Sequence, residues 1–224
     1  ICLEMSSISD NLTQLRGQLP PEVLLVAVSK TKPLEDLQTA YDAGQRDFGE
    51  NRVQEMAEKH AALPQDIRWH MIGHVQTNKI KDFVSWVHLV HGVDRLKVLE
   101  VLQAEAAKAG RTVDALLQVH IAQEETKFGF SPEELIPLLT RSALQAYPNV
   151  RIRGLMGMAT FSEQSEDARS EFAFLKKFSE RVKQQFYAND SAFEVLSMGM
   201  SGDYSIALQE GSTMLRIGSL LFER

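Results

Sequence analysis

The sequence predicts an α/β fold, a (β/α)8 TIM barrel formed by residues 1–224 as a single domain. Two observations carry this reading. Eight short runs rich in apolar residues alternate with amphipathic helical patterns along the chain, which is the rhythm of parallel strands each followed by a helix. The ends of those runs also collect Lys, Asn, His, Met, Ser and Arg, as expected where a barrel gathers its ligand-binding side chains. The first run, Leu24-Leu25-Val26-Ala27-Val28, has no polar alternation and suits a strand covered on both faces. A doubly wound open sheet is the structural alternative.

Ahead of that strand, Ile8, Leu12, Leu15 and Leu19 recur at helical spacing, so a helix starts before the Ser9-Asp10 pair and runs to Gly17. It is expected to stand in for a helix missing after the eighth strand. Pro33 suits the first position of a helix through Leu34, Leu37 and Ala40, capped by Gly44. Asp47 to Asn51 reads as a second strand and turn, Arg52 to Leu63 as a helix stopped by Pro64, and Ile67 to His74 as a third strand. A brief helix begins at Asn78, and Val87 to Gly92 is the fourth strand. Asp94 is expected to cap a helix with Leu96, Leu99, Leu102 and Ala106 on one face and Gly110 at its end. Val113 to Ile121 follows as a fifth strand. Ser131-Pro132-Glu133-Glu134 then opens a helix with cap, proline and acids in favoured places, closed by Tyr147-Pro148. Ile152 to Met158 is the sixth strand, Glu166 to Ala188 a long amphipathic helix and Phe193 to Met198 the seventh strand. Gly202 to Glu210 is a short helix ended by Gly211, and Met214 to Ile217 is the eighth strand.

Composition narrows the function classes. A net charge of -6 and a pI near 5.6 argue against a nucleic-acid surface or an anionic-membrane anchor. The only cysteine is Cys2, so an intramolecular disulfide is excluded and the cytoplasm is the expected compartment. No stretch approaches the ~18 to 20 apolar residues of a membrane span.

Lys30 ends the first strand, on the side of the sheet where α/β folds bind ligands. Burial there would favour its neutral amine, which attacks aldehydes, whereas this stretch by itself also fits a solvated lysine leaving the strand. Two glycine-bearing segments complement it: Ser197-Met198-Gly199-Met200-Ser201-Gly202-Asp203 after strand seven, and Arg216-Ile217-Gly218-Ser219 after strand eight. Glycines let backbone N–H groups turn toward a ligand and hydroxyls add donors, so the pair reads as a phosphate cup. Lysine, cup and arginine together describe a pocket for an aldehyde that carries a phosphate.

Seven motifs in order, Val28-Ser29-Lys30-Thr31, Phe48-Gly49-Glu50-Asn51-Arg52, Trp69-His70-Met71-Ile72-Gly73-His74-Val75-Gln76, Lys127-Phe128-Gly129-Phe130, Arg153-Gly154-Leu155-Met156-Gly157-Met158, Ser197-Met198-Gly199-Met200-Ser201 and Arg216-Ile217-Gly218-Ser219, resemble the pyridoxal phosphate homeostasis protein family. That family is similar to the barrel domain of alanine racemase without its second, β-rich domain. The resemblance implies pyridoxal 5'-phosphate (PLP) as cofactor, held as a Schiff base on Lys30, with Ser201, Gly218 and Ser219 on the phosphate and Arg216 facing the pyridine nitrogen. It also implies that Asn51, His74 and Met156 line the pocket. Phe222-Glu223-Arg224 departs from the family's Phe-Gly before the final arginine.

The function implied is a carrier in intracellular vitamin B6 homeostasis with little or no turnover, acting as a monomer that serves PLP-dependent acceptor enzymes. A PLP-dependent amino-acid racemase is one alternative, and a Schiff-base aldolase binding no cofactor is another. His70, His74, His88 and His91 suggest a metal set, but the pairs His70/His74 and His88/His91 fall on different predicted strands and no nearby Cys or carboxylate is expected to complete a standard site, so structural or pocket-lining roles are expected. Glu124-Glu125 reads as a solvated loop.

Overall fold

The computed structural model describes residues 7–123, 128–140, 145–160 and 165–223. The first apolar run is β1 (Leu24–Val28), which pairs in parallel with β2 (Asp47–Glu50) on one side and with β8 (Met214–Ile217) on the other. Between them run β3 (Arg68–Met71), β4 (Leu89–Val93), β5 (Val113–Gln118), β6 (Val150–Met156) and β7 (Val195–Ser197). Strand order follows chain order and the ring closes, so the barrel is the architecture and the open sheet is not.

Alternation along each strand builds two cores. Leu25, Ala27, Phe48, Trp69, Met71, Val90, Leu117, Leu196, Leu215 and Ile217 point outward into the large cluster shared with the helices. Their neighbours point inward, where Val26, Leu89, Leu116, Met156 and Met214 form a small axial cluster. The inner positions that remain include buried polar groups, His70, His91, Gln118, Ser197 and Arg216. Such groups are tolerated only when hydrogen-bonded, so the barrel axis is where function is to be sought.

Among the described residues the helices are α1 (Ile8–Gln18), α2 (Leu34–Asp42), α3 (Val53–Ala62), α4 (Leu96–Lys108), α5 (Pro132–Leu138), α6 (Ser165–Phe186), α7 (Tyr204–Gln209) and α8 (Ser219–Phe222), with a 3-10 turn at Thr77–Asp82. Ser7 caps α1 and Ser131 caps α5, each in a reciprocal capping box with the acid three residues on, Asp10 and Glu134. No helix among the described residues is long and apolar enough to cross a membrane.

Several expected boundaries move. Pro33 is the N-cap of α2 rather than its first residue. Asp94 caps nothing: Arg95 occupies the N-cap of α4, and Asp94 is spent on side-chain bonds described below. The helix opened by Ser131 ends at Leu138, well before Tyr147, although residues 141–144 lie outside the described part. A helix does follow strand eight, so α1 is not its substitute; α1 packs beside α8, with Asn11 donating to the Leu221 carbonyl at 3.2 Å. The Phe222-Glu223 departure leaves that last turn intact, since Phe222 is buried in the outer core and the Glu223 N–H bonds to the Ser219 carbonyl. Cys2, Glu124-Glu125, Lys127 and Arg224 lie outside the described residues.

Candidate functional site

Strand register brings the sequence-predicted residues to one mouth of the barrel. Ala27 pairs with Ile217, and Val28 pairs with Gly49, so Lys30, Gly218-Ser219 and Asn51 emerge side by side from β1, β8 and β2. Gly218 lies so close to β1 that a Cβ there would sit 3.2 Å from the Val28 carbonyl oxygen. A side chain at this position would push the two strand ends apart.

Lys30 itself is exposed, and its amine has no hydrogen bond or ion pair to another described residue. The burial expected for it is therefore not found. What is buried is the apparatus beneath its backbone. The Ser29 hydroxyl donates to Glu50 Oε1 at 2.6 Å, and Lys59 Nζ reaches the Ser29 carbonyl and Glu50 Oε1, both at 2.7 Å. Glu55 accepts from Lys59 and, at 2.6 Å, from the N–H of Thr31, a β-branched residue held at φ 63°. Positive φ is costly for threonine, so this turn is over-determined by its surroundings. Burial pushes the Glu50 carboxyl up, with the Lys59 and Ser29 bonds opposing the shift.

The two segments expected to form a cup do meet. Ser201 Oγ accepts from the N–H of Gly218 at 3.3 Å and from that of Leu220 at 3.5 Å. Both are long for hydrogen bonds, so these donors are weakly satisfied and open to a stronger acceptor. Ser219, half-buried, begins α8 beside them. Gly199 supplies the sharp turn that returns the chain toward α7. Its φ is 97°, and a Cβ would lie 2.6 Å from that of Ala207.

Arg216 is buried on the axis, next in register to Val26. Its guanidinium donates to Ser197 Oγ at 2.6 Å and to the Gly157 carbonyl at 3.1 Å. Desolvation lowers it to about 10, so it stays a cation at neutral pH. Met156 is fully buried in the axial cluster. Asn51 and His74 are drawn together through Gly73, whose Cβ would stand 2.4 Å from the Asn51 carbonyl oxygen. His74 Nδ1 bonds Asp94 Oδ2 at 2.7 Å, and its ring stacks on exposed Phe128 at 4.0 Å.

The metal reading is corrected in one respect, because a carboxylate does join the histidines: ligand atoms of Asp47, His70 and His88 lie within 4.8 Å of one another. They sit at the opposite mouth, where β2 and β4 begin. Arg68 donates to both oxygens of Asp47, so a guanidinium already occupies the charge a metal would need. Burial alone would raise the Asp47 carboxyl, but the hydrogen bonds from His70 and Arg68 and the charge of Arg68 outweigh it and bring it down to about 2. Sequence reasoning missed Glu50, Glu55, Lys59 and Asp94. Glu50 stood within a quoted motif, whereas a buried lysine on α3 leaves no mark in the sequence.

The chain is similar to known proteins in sequence and in fold. The family profile described as "Alanine racemase, N-terminal domain" matches residues 3–223. The pyridoxal phosphate homeostasis protein of Aquifex aeolicus is 39% identical over 88% of this chain and 85% of its own. That of Synechocystis sp. is 39% identical over 94% of this chain and 95% of its own. The structure of PipY from Synechococcus elongatus with PLP bound superimposes with a TM-score of 0.87 at 38% identity, covering 96% of this chain and 100% of that one.

Proposed function

Since the chain belongs to the pyridoxal phosphate homeostasis protein family, whose members match it over most of their length, we propose that it binds PLP reversibly as a Schiff base on Lys30 and serves vitamin B6 homeostasis as a carrier. PLP brings an aldehyde that an amine can trap and a phosphate that fixes it in place. The donor set suits that group. The single observation that carries the reading is the pair of backbone N–H groups, Gly218 and Leu220, converging on the Ser201 hydroxyl beside the strand that ends on Lys30.

In this reading Ser201, Gly218 and Ser219 take the phosphate, and Arg216 donates to the pyridine nitrogen. Asn51, His74 and Met156 bound the ring. The Ser29, Glu50, Glu55 and Lys59 cluster holds the backbone on either side of Lys30 in place. The protein acts in the cytoplasm as a monomer, does not turn substrate over, and passes PLP to enzymes that depend on it.

Purified protein is expected to be yellow, with an absorbance that borohydride fixes covalently to the Lys30 peptide and that Lys30→Ala abolishes. A Schiff-base aldolase would show no such chromophore. Recovery of the adduct on Lys32 or Lys127 rejects Lys30 as the nucleophile.

A further inference from the structure

A buried chain of polar side chains runs down the barrel axis from the cofactor mouth to the opposite one. Arg216 bonds Ser197 Oγ at 2.6 Å, Ser197 Oγ bonds His91 Nδ1 at 3.1 Å, His91 Nε2 meets His70 Nδ1 at 3.0 Å, and His70 Nε2 meets Asp47 Oδ1 at 3.0 Å. Among the described residues Arg216 forms no ion pair within 4 Å, although it is a buried cation on which the charge of Asp203 acts from farther away.

The two ends of this chain fix its direction. A guanidinium has only donors and an ionised carboxylate only acceptors. Arg216 therefore gives a hydrogen to Ser197, and among the described residues the Ser197 hydroxyl proton has one acceptor within reach, His91 Nδ1. That makes His91 a donor from Nε2 to His70 Nδ1, and His70 a donor from Nε2 to Asp47. Every proton points the same way, from β8 through β7, β4 and β3 to β2. The reverse order would leave the Ser197 hydroxyl as a buried donor without an acceptor, which costs about 1–3 kcal/mol. A neutral His91 accords with this, since burial above all, and then the charge of Arg216, holds it well below the usual histidine range.

We propose that Asp47, His70, His91 and Ser197 are positioning residues for the cofactor site, a one-way hydrogen-bond chain that fixes the guanidinium of Arg216 and conveys to it the charge of Asp47 from the far mouth. The proposal rests on PLP binding for its purpose but not for its existence. Aligned hydrogen bonds in a medium of low dielectric polarise one another, so an acceptor at one end strengthens the donor bond at the other. Arg68 completes the far end by holding Asp47 with two N–H groups.

The chain is tested first without cofactor, by nitrogen NMR of the full-length protein labelled at histidine. His70 and His91 are expected as neutral rings, each protonated on Nε2. Asp47→Asn introduces an amide that can donate, so His91, which does not touch residue 47, is expected to shift toward the Nδ1-protonated form. His60→Asn should leave it unchanged, because His60 stacks on Trp86 away from the axis. If Asp47→Asn does not fold, Ser197→Ala reads the chain from its other end by removing the donor to His91 Nδ1. A wild-type His91 protonated on Nδ1, or a His91 signal indifferent to substitution in a folded variant, overturns the proposal. Titration with PLP follows. Asp47→Asn should shift the absorbance maximum while affinity changes by less than about threefold, because the phosphate donors are untouched. An unshifted maximum denies the chain its role at the cofactor. Failure of the wild type to take up PLP while its histidines read as stated sinks the carrier reading and leaves the chain standing.

Discussion

Lys59 and Glu50 form a buried ion pair in which Nζ lies 2.7 Å from Oε1, and the same ammonium holds the carbonyl of Ser29, the residue before Lys30. Among the described residues Glu50 Oε2 has no hydrogen-bond partner, so this carboxylate depends on Lys59 and the Ser29 hydroxyl. Removing one member of such a pair strands the other. Lys59→Met is expected to cost about 3–5 kcal/mol in urea unfolding, with much of it recovered in Lys59→Met/Glu50→Gln. A loss below about 1 kcal/mol would show that the pair is dispensable.

The cup makes a prediction about affinity. Ser201→Ala with Ser219→Ala should weaken PLP binding by about 10-fold or more, at ~1 kcal/mol or more for each lost bond to a charged group. Pyridoxal lacking the phosphate should bind far more weakly than PLP. Unchanged titration curves would remove both hydroxyls from the site.

Gly199 tests the turn that presents Ser201. Alanine there meets both the left-handed backbone at φ 97° and the Cβ of Ala207 at 2.6 Å, so Gly199→Ala should lose about 1–3 kcal/mol of stability and weaken PLP binding with it. A variant as stable as the wild type would mean that the turn has another conformation open to it.

Acid should destabilise the fold through its histidines. His91 has a folded-state pKa well below that of the unfolded chain, chiefly through burial. Below about pH 6.5 the unfolded state therefore binds a proton that the folded state refuses, and stability falls as pH drops. His60 shifts the same way through burial, as does His88, which burial above all lowers to about 4. Asp47 is silent here, because its contribution is lost only as pH falls toward about 2. Urea unfolding between pH 7 and pH 5 should show the decline, with His91 contributing up to about 1.4 kcal/mol per pH unit. His91→Gln should flatten the slope by that share. An equal slope in the variant would place the titration elsewhere.

The sequence was legible where one residue decides a local outcome. An unbroken apolar run before Lys30 marked β1, and glycines beside hydroxyls marked the two segments that meet where the Gly218 N–H reaches Ser201 Oγ. It was misleading where a residue type has two uses. Asp94 stands one place ahead of a helix N-cap, yet its carboxylate is taken by His74 and Arg95, a choice made by β3 lying beside β4. The axial chain was not legible at all. Asp47, His70, His91, Ser197 and Arg216 come from five strands, and only closure of the barrel turns their inward faces toward one another.

Arg216 yields the last prediction, that racemase or transaminase turnover is absent or very slow. Its guanidinium remains protonated at any relevant pH and offers only hydrogen-bond donors. A pyridine nitrogen opposite it must therefore accept, and a proton there would set two cations against each other inside the barrel. Ser197 and the Gly157 carbonyl hold the guanidinium on the axis, so it cannot turn aside to relieve that repulsion without breaking both bonds. An unprotonated ring is a poorer sink for the electrons released when an amino acid loses its α-proton, which slows that step. A donor arginine alone does not forbid the reaction, and a racemase also needs an acid-base group on each face of the ring. Exchange of the α-proton of alanine in deuterated water, followed by proton NMR with the PLP-loaded protein, measures the step directly. Exchange no faster than with free PLP is expected. Brisk exchange, or nitrogen NMR showing a protonated ring nitrogen at neutral pH, would make this protein an enzyme rather than a carrier.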